Sequence, residues 1–395
     1  MKRKTFKLAA LLSLMTGVGA IQVQAQSTEY DRPNVVTSAV PFLRISPDAR
    51  AGGMGELGVA TTPDANSAFW NLAKTPFTKH DYGIGLTYTP WLKDLGLNDV
   101  YLLTATGYAK LDELQAISAS VRYFSLGNIQ FTNFSGTDLG EGRPREVGID
   151  VGYSRKLSDK IALGIALRYI NSNLAAGQEV DGTTYKKGNA VAGDLSFFYT
   201  GADENGQGWN FGAVLSNLGT KIGYTNDAKQ KDYIPANLGL GATYTAAIDE
   251  ANKITFGIDI NKLLVPTPPQ AADPTDPDKT TKDSIALAKY RDKSVVSSWF
   301  SSFGDADGGF SEEAKELQAS IGAEYSYNDQ FFVRAGYFYE NKQKGNRKYF
   351  TLGLGLKYNV FGLNFSYLVP SGSGVNRNPL SNTLRFGLVF DLDKQ

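Results

Sequence analysis

The chain has no cysteine and a single histidine, His80, in 395 residues. Disulfide frameworks, thiol chemistry and multi-histidine metal sites are thereby excluded. An excess of charge of either sign is missing as well. The 40 basic and 40 acidic side chains balance, which argues against a general nucleic-acid binder. Beyond residue 26 no stretch approaches the roughly 18 apolar residues of a spanning helix. Any membrane embedding therefore has to come from strands.

The N-terminus reads as a secretory signal. Lys2, Arg3, Lys4 and Lys7 form its positive region, residues 8–20 its short apolar core, and Val23-Gln24-Ala25 its cleavage site. The apolar run is too short for a transmembrane helix, and no cysteine follows it to carry a lipid anchor. The expected division is residues 1–25 as signal peptide, 26–80 as a periplasmic N-terminal segment and barrel plug, and 81–395 as barrel.

What the chain has in quantity is glycine, 42 residues, and tyrosine plus phenylalanine, 21 and 22. They are arranged with period two. Phe350, Leu352, Leu354, Leu356 and Tyr358 alternate with Thr351, Gly353, Gly355 and Lys357. Ile254, Phe256, Ile258 and Ile260 alternate with Thr255, Gly257, Asp259 and Asn261. Successive side chains leave a strand on opposite faces, so period two predicts strands. A soluble sandwich shares that pattern. Strand length, strand number and the connections favour an all-β, antiparallel transmembrane barrel of about fourteen strands, apolar outside and wet inside.

The predicted strands are 81–90, 99–109, 114–126, 145–156, 160–171, 190–201, 207–217, 234–245, 252–262, 316–327, 330–340, 347–358, 361–370 and 381–391. Their connections alternate between longer loops and tight turns, with a very long loop at 263–315. Outer-membrane barrels have short periplasmic turns and longer outer loops. The parity predicts both chain ends in the periplasm and loop 263–315 on the cell exterior. The lumen-facing charges Asp150, Arg168, Asp194, Asp259, Glu324, Arg334, Lys357 and Arg385 are expected to form cross-barrel pairs, because buried charges are costly unless paired. In the last strand Leu384, Phe386, Leu388 and Phe390 face out, and five residues follow Phe390.

Residues 26–80 are glycine-rich and compact in character. A fourteen-strand ring leaves a hole, so a plug is physically expected. Its candidate residues are Arg50, Gly52, Gly53, Gly55, Asp64, Asn66, Trp70 and Asn71. Gly52-Gly53-x-Gly55 lacks the lysine and the strand–helix context of a phosphate loop. The stretch from Ala49 to Ala73 resembles the N-terminal hatch of the FadL-like outer-membrane transporter superfamily. The fuller run Phe42-Leu43-Arg44-Ile45-Ser46-Pro47-Asp48-Ala49-Arg50-Ala51-Gly52-Gly53-Met54-Gly55 is similar, more narrowly, to the PorV family. One departure stands out: the superfamily commonly has Asn-Pro-Ala where this chain has Asn71-Leu72-Ala73.

That resemblance implies protein traffic in an outer membrane. PorV-like proteins accept cargo at the type IX translocon through its C-terminal signal domain. They deliver it to the surface sortase and attachment complex. The implied partners are outer-membrane lipid, cargo signal domains, the translocon and the sortase complex, with no nucleic acid, metal or cofactor. Two alternatives belong to other classes: a channel for hydrophobic small molecules such as fatty acids, and a lipid A deacylase. No Gly-x-Ser-x-Gly stands on a strand–helix turn to support the enzyme, and no residue is assigned as catalytic.

Candidate cargo contacts are aromatic and apolar residues of the outer loops: Trp91, Leu92, Phe131, Phe134, Trp299, Phe300 and Phe303. Asp283-Ser284 is a candidate cap for a helix that runs on through Lys289 to Phe303. Asp305-x-Asp307 with Glu316 echoes a calcium loop, but Gly309 and Phe310 replace the expected ligand and glycine. A solvated acidic loop is the plainer reading. His80 is expected at the periplasmic rim.

Overall fold

The computed structural model describes residues 33–133, 135–180, 182–227, 229–306, 308–369, 380 and 382–394. Fourteen antiparallel strands close into one barrel. They are β1 Tyr82–Pro90, β2 Val100–Lys110, β3 Gln115–Leu126, β4 Arg145–Lys156, β5 Ile161–Asn173, β6 Gly188–Thr200, β7 Gly208–Gly219, β8 Asn237–Ala247, β9 Asn252–Leu263, β10 Gln318–Tyr327, β11 Phe331–Tyr339, β12 Lys348–Tyr358, β13 Phe361–Leu368 and β14 Leu384–Leu392. Every predicted strand is present, and boundaries differ by three residues at most. The ring closes between β1 and β14, from Tyr82↔Leu392 to Tyr88↔Phe386.

The alternation of the sequence is the alternation of the wall. On β5, Leu163, Ile165, Leu167 and Tyr169 are 46–65% exposed, while Ala162, Ala166, Arg168 and Ile170 between them are buried. An apolar band of this size around a closed ring needs lipid against it. Aromatic rings fringe the band at both rims. Tyr88, Tyr101 and Tyr123 follow one another at the long-loop rim, with centroids 5.8 and 6.3 Å apart. Trp209, Phe211 and Tyr244 cluster near the turn rim. Such girdles sit where hydrocarbon meets headgroups. No helix among the described residues is long and apolar enough to cross a membrane.

Residues 41–77 fill the lumen with short helical turns. These include Pro41–Arg44, α1 Ala49–Gly52, α2 Ser67–Trp70 and Leu72–Phe77. The inward glycines of the wall exist for this plug. A Cβ on Gly336 would lie 2.1 Å from the Met54 carbonyl carbon, and one on Gly353 2.9 Å from Gly53 Cα. On the opposite wall, Gly152 and Gly164 receive Leu72, the residue that departs from the superfamily pattern.

The chain enters this plug from an unexpected side. The C-terminal end lies at the turn rim, where Asp393 meets His80 Nδ1 at 3.1 Å. The first described residues lie at the opposite rim. Asn34 N donates to Gln343 O and Ala39 N to Tyr233 O, at 2.9 and 2.8 Å. Residues 33–40 thus form a strap across the long-loop mouth, and the plug descends from there to β1. The expectation of a segment entering from the turn side does not hold for these residues.

Candidate functional site

Polar contacts hold the plug together and fix it to the wall, and Arg50, Gly55, Asp64, Asn66, Trp70 and Asn71 of the predicted motif take part. Asp48 caps α1, accepting from Arg50 N at 2.8 Å, and also accepts from Asn66 Nδ2 and Trp70 Nε1. The Arg50 guanidinium donates to Glu324 through Nε and Nη2 (3.0 and 2.8 Å), to Asp64 through Nη1 (2.9 Å), and to Thr62. A planar fork suits two carboxylates held at fixed angles. Asn71 Nδ2 bridges Val59 O and Phe197 O, while its Oδ1 accepts from Ala73 N. Gly55, at φ +71°, donates from its N–H to Thr351 Oγ1. Lys74 is buried without a carboxylate and donates to Gly58 O and Thr61 Oγ1.

The lumen charges pair, but not across the barrel. Asp150, Arg168 and Asp194 form a relay along β4, β5 and β6, joined by Arg122 of β3, which was not among the predicted lumen charges. Arg122 Nη2 lies 2.9 Å from Asp150 and Arg168 Nη2 2.8 Å from Asp194, with Arg168 Nε also on Asp150. Arg122 was legible as the inward neighbour of Ser120 in the alternation. Glu324 joins Arg334 on the next strand to Arg50 of the plug. Asp259 accepts from the Gly58 and Val59 amides at 2.7 and 2.8 Å. Arg385 holds Glu56 of the plug at 2.8 Å. Lys357 pairs with Asp391 at the turn rim. Neighbouring strands and the plug supply the partners because the plug occupies the axis.

At Asp194 the β6–β7 ladder shifts register between Gly193 and Leu195, and Asn217 takes φ +57°. Asn217 N donates to Asp194 Oδ1 at 2.7 Å, so the irregularity is bridged and pairing continues on both sides.

Above the plug the long-loop mouth holds two cavities separated by the strap. One, of about 790 Å3, is lined by Phe42, Trp91, Phe124, Arg385 and Lys344 among others. Five residues around it carry a buried polar atom with no hydrogen-bond partner among the described residues: Glu56, Arg122, Asn237, Ser320 and Arg385. The other, of about 740 Å3, lies under loop 263–315.

The candidate contact residues do not converge on one surface. Trp91 and Leu92 pack over Phe338, Tyr349, Leu368 and Leu380 at the first cavity. Phe131 lies on a separate hairpin, Ile129–Thr132 paired with Asp138–Gly142, with its ring against Gly142. Phe134 lies outside the described residues. Trp299 faces its own barrel at Lys221, Ile234 and Leu264. Phe300 and Phe303 are 76% and 52% exposed, and Phe310, absent from the candidates, is 88% exposed.

The expected single helix is two, α3 Lys279–Asp292 and α4 Val295–Ser301, followed by α5 Phe310–Lys315. Ser294 caps α4, accepting from Ser297 N. Asp283 lies inside α3 and accepts from Ala272 N, so it is not the cap. The acidic residues of the calcium-like run are taken by lysines. Asp305 pairs with Lys293 at 3.0 Å, and Glu316 with Lys262 and Lys344 at 2.6 and 3.0 Å. Asp307 lies outside the described residues. Lys344 and Glu312 complete a clasp that ties this loop to loop 340–347. Burial alone would lower the Lys344 ammonium, but its bonds to Glu312 and Glu316 outweigh that and raise it. The Lys344 hydrogen bond holds the Glu312 carboxyl below its ordinary range.

A closed ring with an N-terminal plug, long loops at one rim and a lipid-width apolar band defines a FadL-like outer-membrane β-barrel. The structure is similar to the toluene transporter TbuX of Ralstonia pickettii, with 11% identity and a TM-score of 0.52 over 89% of this chain and 98% of that one. A FadL homologue of Pseudomonas aeruginosa aligns at 11% identity with a TM-score of 0.47, over 91% and 100% of the chains. No curated protein matches the sequence. The model of the type IX secretion system protein PorV matches residues 27–270, and the chain belongs to the PorV family.

Proposed function

We propose that this barrel is the outer-membrane carrier of a type IX secretion system. In this reading it binds secreted proteins by their C-terminal signal domains at the long-loop mouth. It passes them from the translocon to the surface sortase and attachment complex. The turn rim, with His80 and Asp393, faces the periplasm and the long loops face outward. The observation that carries this reading is the contrast between a lumen closed by a bonded plug and a mouth that opens two large cavities beneath long loops.

A path for hydrophobic small molecules finds less support. Such a path needs a continuous apolar lumen, and the Arg50–Glu324–Arg334 and Arg122–Asp150–Arg168–Asp194 networks interrupt it. The bridged register shift at Asp194 offers no gap in the wall. For lipid A deacylation, the charged cluster under loop 263–315 consists of closed lysine–glutamate pairs, and the hydroxyl–carboxylate pair Ser172–Glu146 is buried, with no histidine beside it among the described residues.

The test is removal of the gene, followed by tracking of a secreted protein bearing the C-terminal signal. The expected result is cargo that stays in the periplasm or remains uncleaved and unattached. Normal secretion with loss of uptake of a hydrophobic compound overturns the reading in favour of a transporter.

A further inference from the structure

We infer that the cavity between the strap and α3 is a binding site for an organic cation, an ammonium or guanidinium group carried on an alkyl chain. Glu146 is the reason. It sits on the inward face of β4 at the long-loop rim, is 2% exposed, and lines this cavity. Its Oε1 accepts from Ser172 Oγ at 2.7 Å, and no cation among the described residues lies within ion-pair distance. Ser172 is held in turn by Tyr224 OH at 2.9 Å. The other carboxylates of the cavity are committed: Asp232 to Arg291 at 3.3 Å and Asp283 to Lys279. Every other lumen carboxylate described above has a cation or at least two N–H donors, Asp48 taking three from Arg50 N, Asn66 and Trp70. Glu146 alone has one hydroxyl.

A carboxylate buried without a counter-charge is expensive, and a cation entering beside it recovers that energy. The surroundings fit such a guest. Phe124, Tyr224 and Tyr290 line the same space, and aromatic faces attract desolvated cations. Leu126, Leu174 and Leu287 offer an apolar lining for an alkyl stem. The chain already uses this chemistry next door, where Lys221 Nζ lies 4.3 Å from the Tyr233 ring centroid. The strap forms one wall, held by backbone bonds at Asn34 and Ala39 and by Val40 in the apolar cluster beneath it. The inference does not depend on the shuttle reading.

The shared chemistry has two sources, a lysine or arginine side chain of a bound polypeptide and a free amphipathic amine. The test uses the full folded barrel in nonionic detergent, titrated calorimetrically with n-hexylammonium, hexanol and N-acetyl-Ala-Lys-Ala-amide. Hexylammonium is expected to bind at least tenfold more tightly than hexanol. Glu146→Gln is expected to remove that difference while hexanol binding stays the same and heat-modifiable gel mobility shows a folded barrel. Leu287→Lys, which leaves Glu146 in place and adds a like charge to the cavity lining, should weaken hexylammonium binding at least tenfold. It stands in if Glu146→Gln does not fold. Tighter binding of the peptide assigns the site to a polypeptide side chain, and tighter binding of the amine to a small molecule. Both outcomes support the site. Equal binding of hexylammonium and hexanol, or hexylammonium binding unchanged in Glu146→Gln and in Leu287→Lys, overturns it.

Discussion

The plugged lumen and the long-loop mouth are built from the same strands and obey opposite rules. In the lumen Arg50 meets two carboxylates and Thr62, and wall glycines let backbone lie on backbone. At the mouth two cavities open on either side of the strap, and the buried Glu146 has a hydroxyl but no cation among the described residues. Buried polar groups are normally satisfied. Where they are not, a structure has usually left room for something to arrive. The lesson is that the plug half is tied down charge by charge, while the mouth half keeps open space and a buried carboxylate without a cation.

The sharpest way to break this contrast is Arg50→Ala. It strands Asp64 beside a partly neutralised Glu324, and removing one partner of a buried ion pair costs about 3–5 kcal/mol. A large fall in the thermal midpoint of heat-modifiable mobility is expected. If the midpoint holds, the plug is not the rigid half. Gly336→Val comes next, since its Cβ would meet the Met54 carbonyl carbon at 2.1 Å. Overpacking against backbone costs about 1–3 kcal/mol, and limited proteolysis should cut the plug faster than the wall. Phe300→Ser sharpens the other side. Its side chain is 76% exposed, so stability should move by less than about 0.5 kcal/mol. Attachment of cargo to the cell surface should fall if the loop bears cargo. Trp299→Ala is a poorer test, because that ring packs on its own barrel.

The smallest effect concerns the clasp of Lys344 with Glu312 and Glu316. Lys344 is raised in the fold, so its contribution is present below the ordinary lysine value of 10.5 and is lost as pH climbs past it. Glu312 is lowered, so its contribution is present above 4.5 and is lost as pH falls further. Protease resistance of loop 263–315 should be flat between about pH 4.5 and 10.5 and decline outside that window.

Much of the wall was legible before any coordinates, because period two is a direct consequence of the pleat and lipid enforces it on every strand. The plug residues Arg50, Asp64, Asn66 and Asn71 were expected on other grounds, the likeness of residues 49–73 to a known hatch and the hole a fourteen-strand ring leaves. Three things were hidden. The strap's partners are the backbone carbonyls of Gln343 and Tyr233, which no side-chain pattern announces. The helix in loop 263–315 broke at Lys293 because Ser294 supplies a second cap, while Asp283 looked like a cap but serves Ala272. The charges were expected to reach across the lumen, and with the axis filled they turned sideways to neighbouring strands.

The strap also constrains how the molecule comes into being. The chain runs from Asn34, beside Gln343 at one rim, through the ring to Asp81 at the other, and only then begins the first strand. A hoop fastened from Tyr82↔Leu392 to Tyr88↔Phe386 therefore has a cord running through it. Either the cord is laid first and the hoop fastened around it, or the cord is pulled through a finished hoop. Wall glycines that admit the plug's backbone at van der Waals distance leave little room for pulling, so the seam between the first and last strands is the natural final act of assembly.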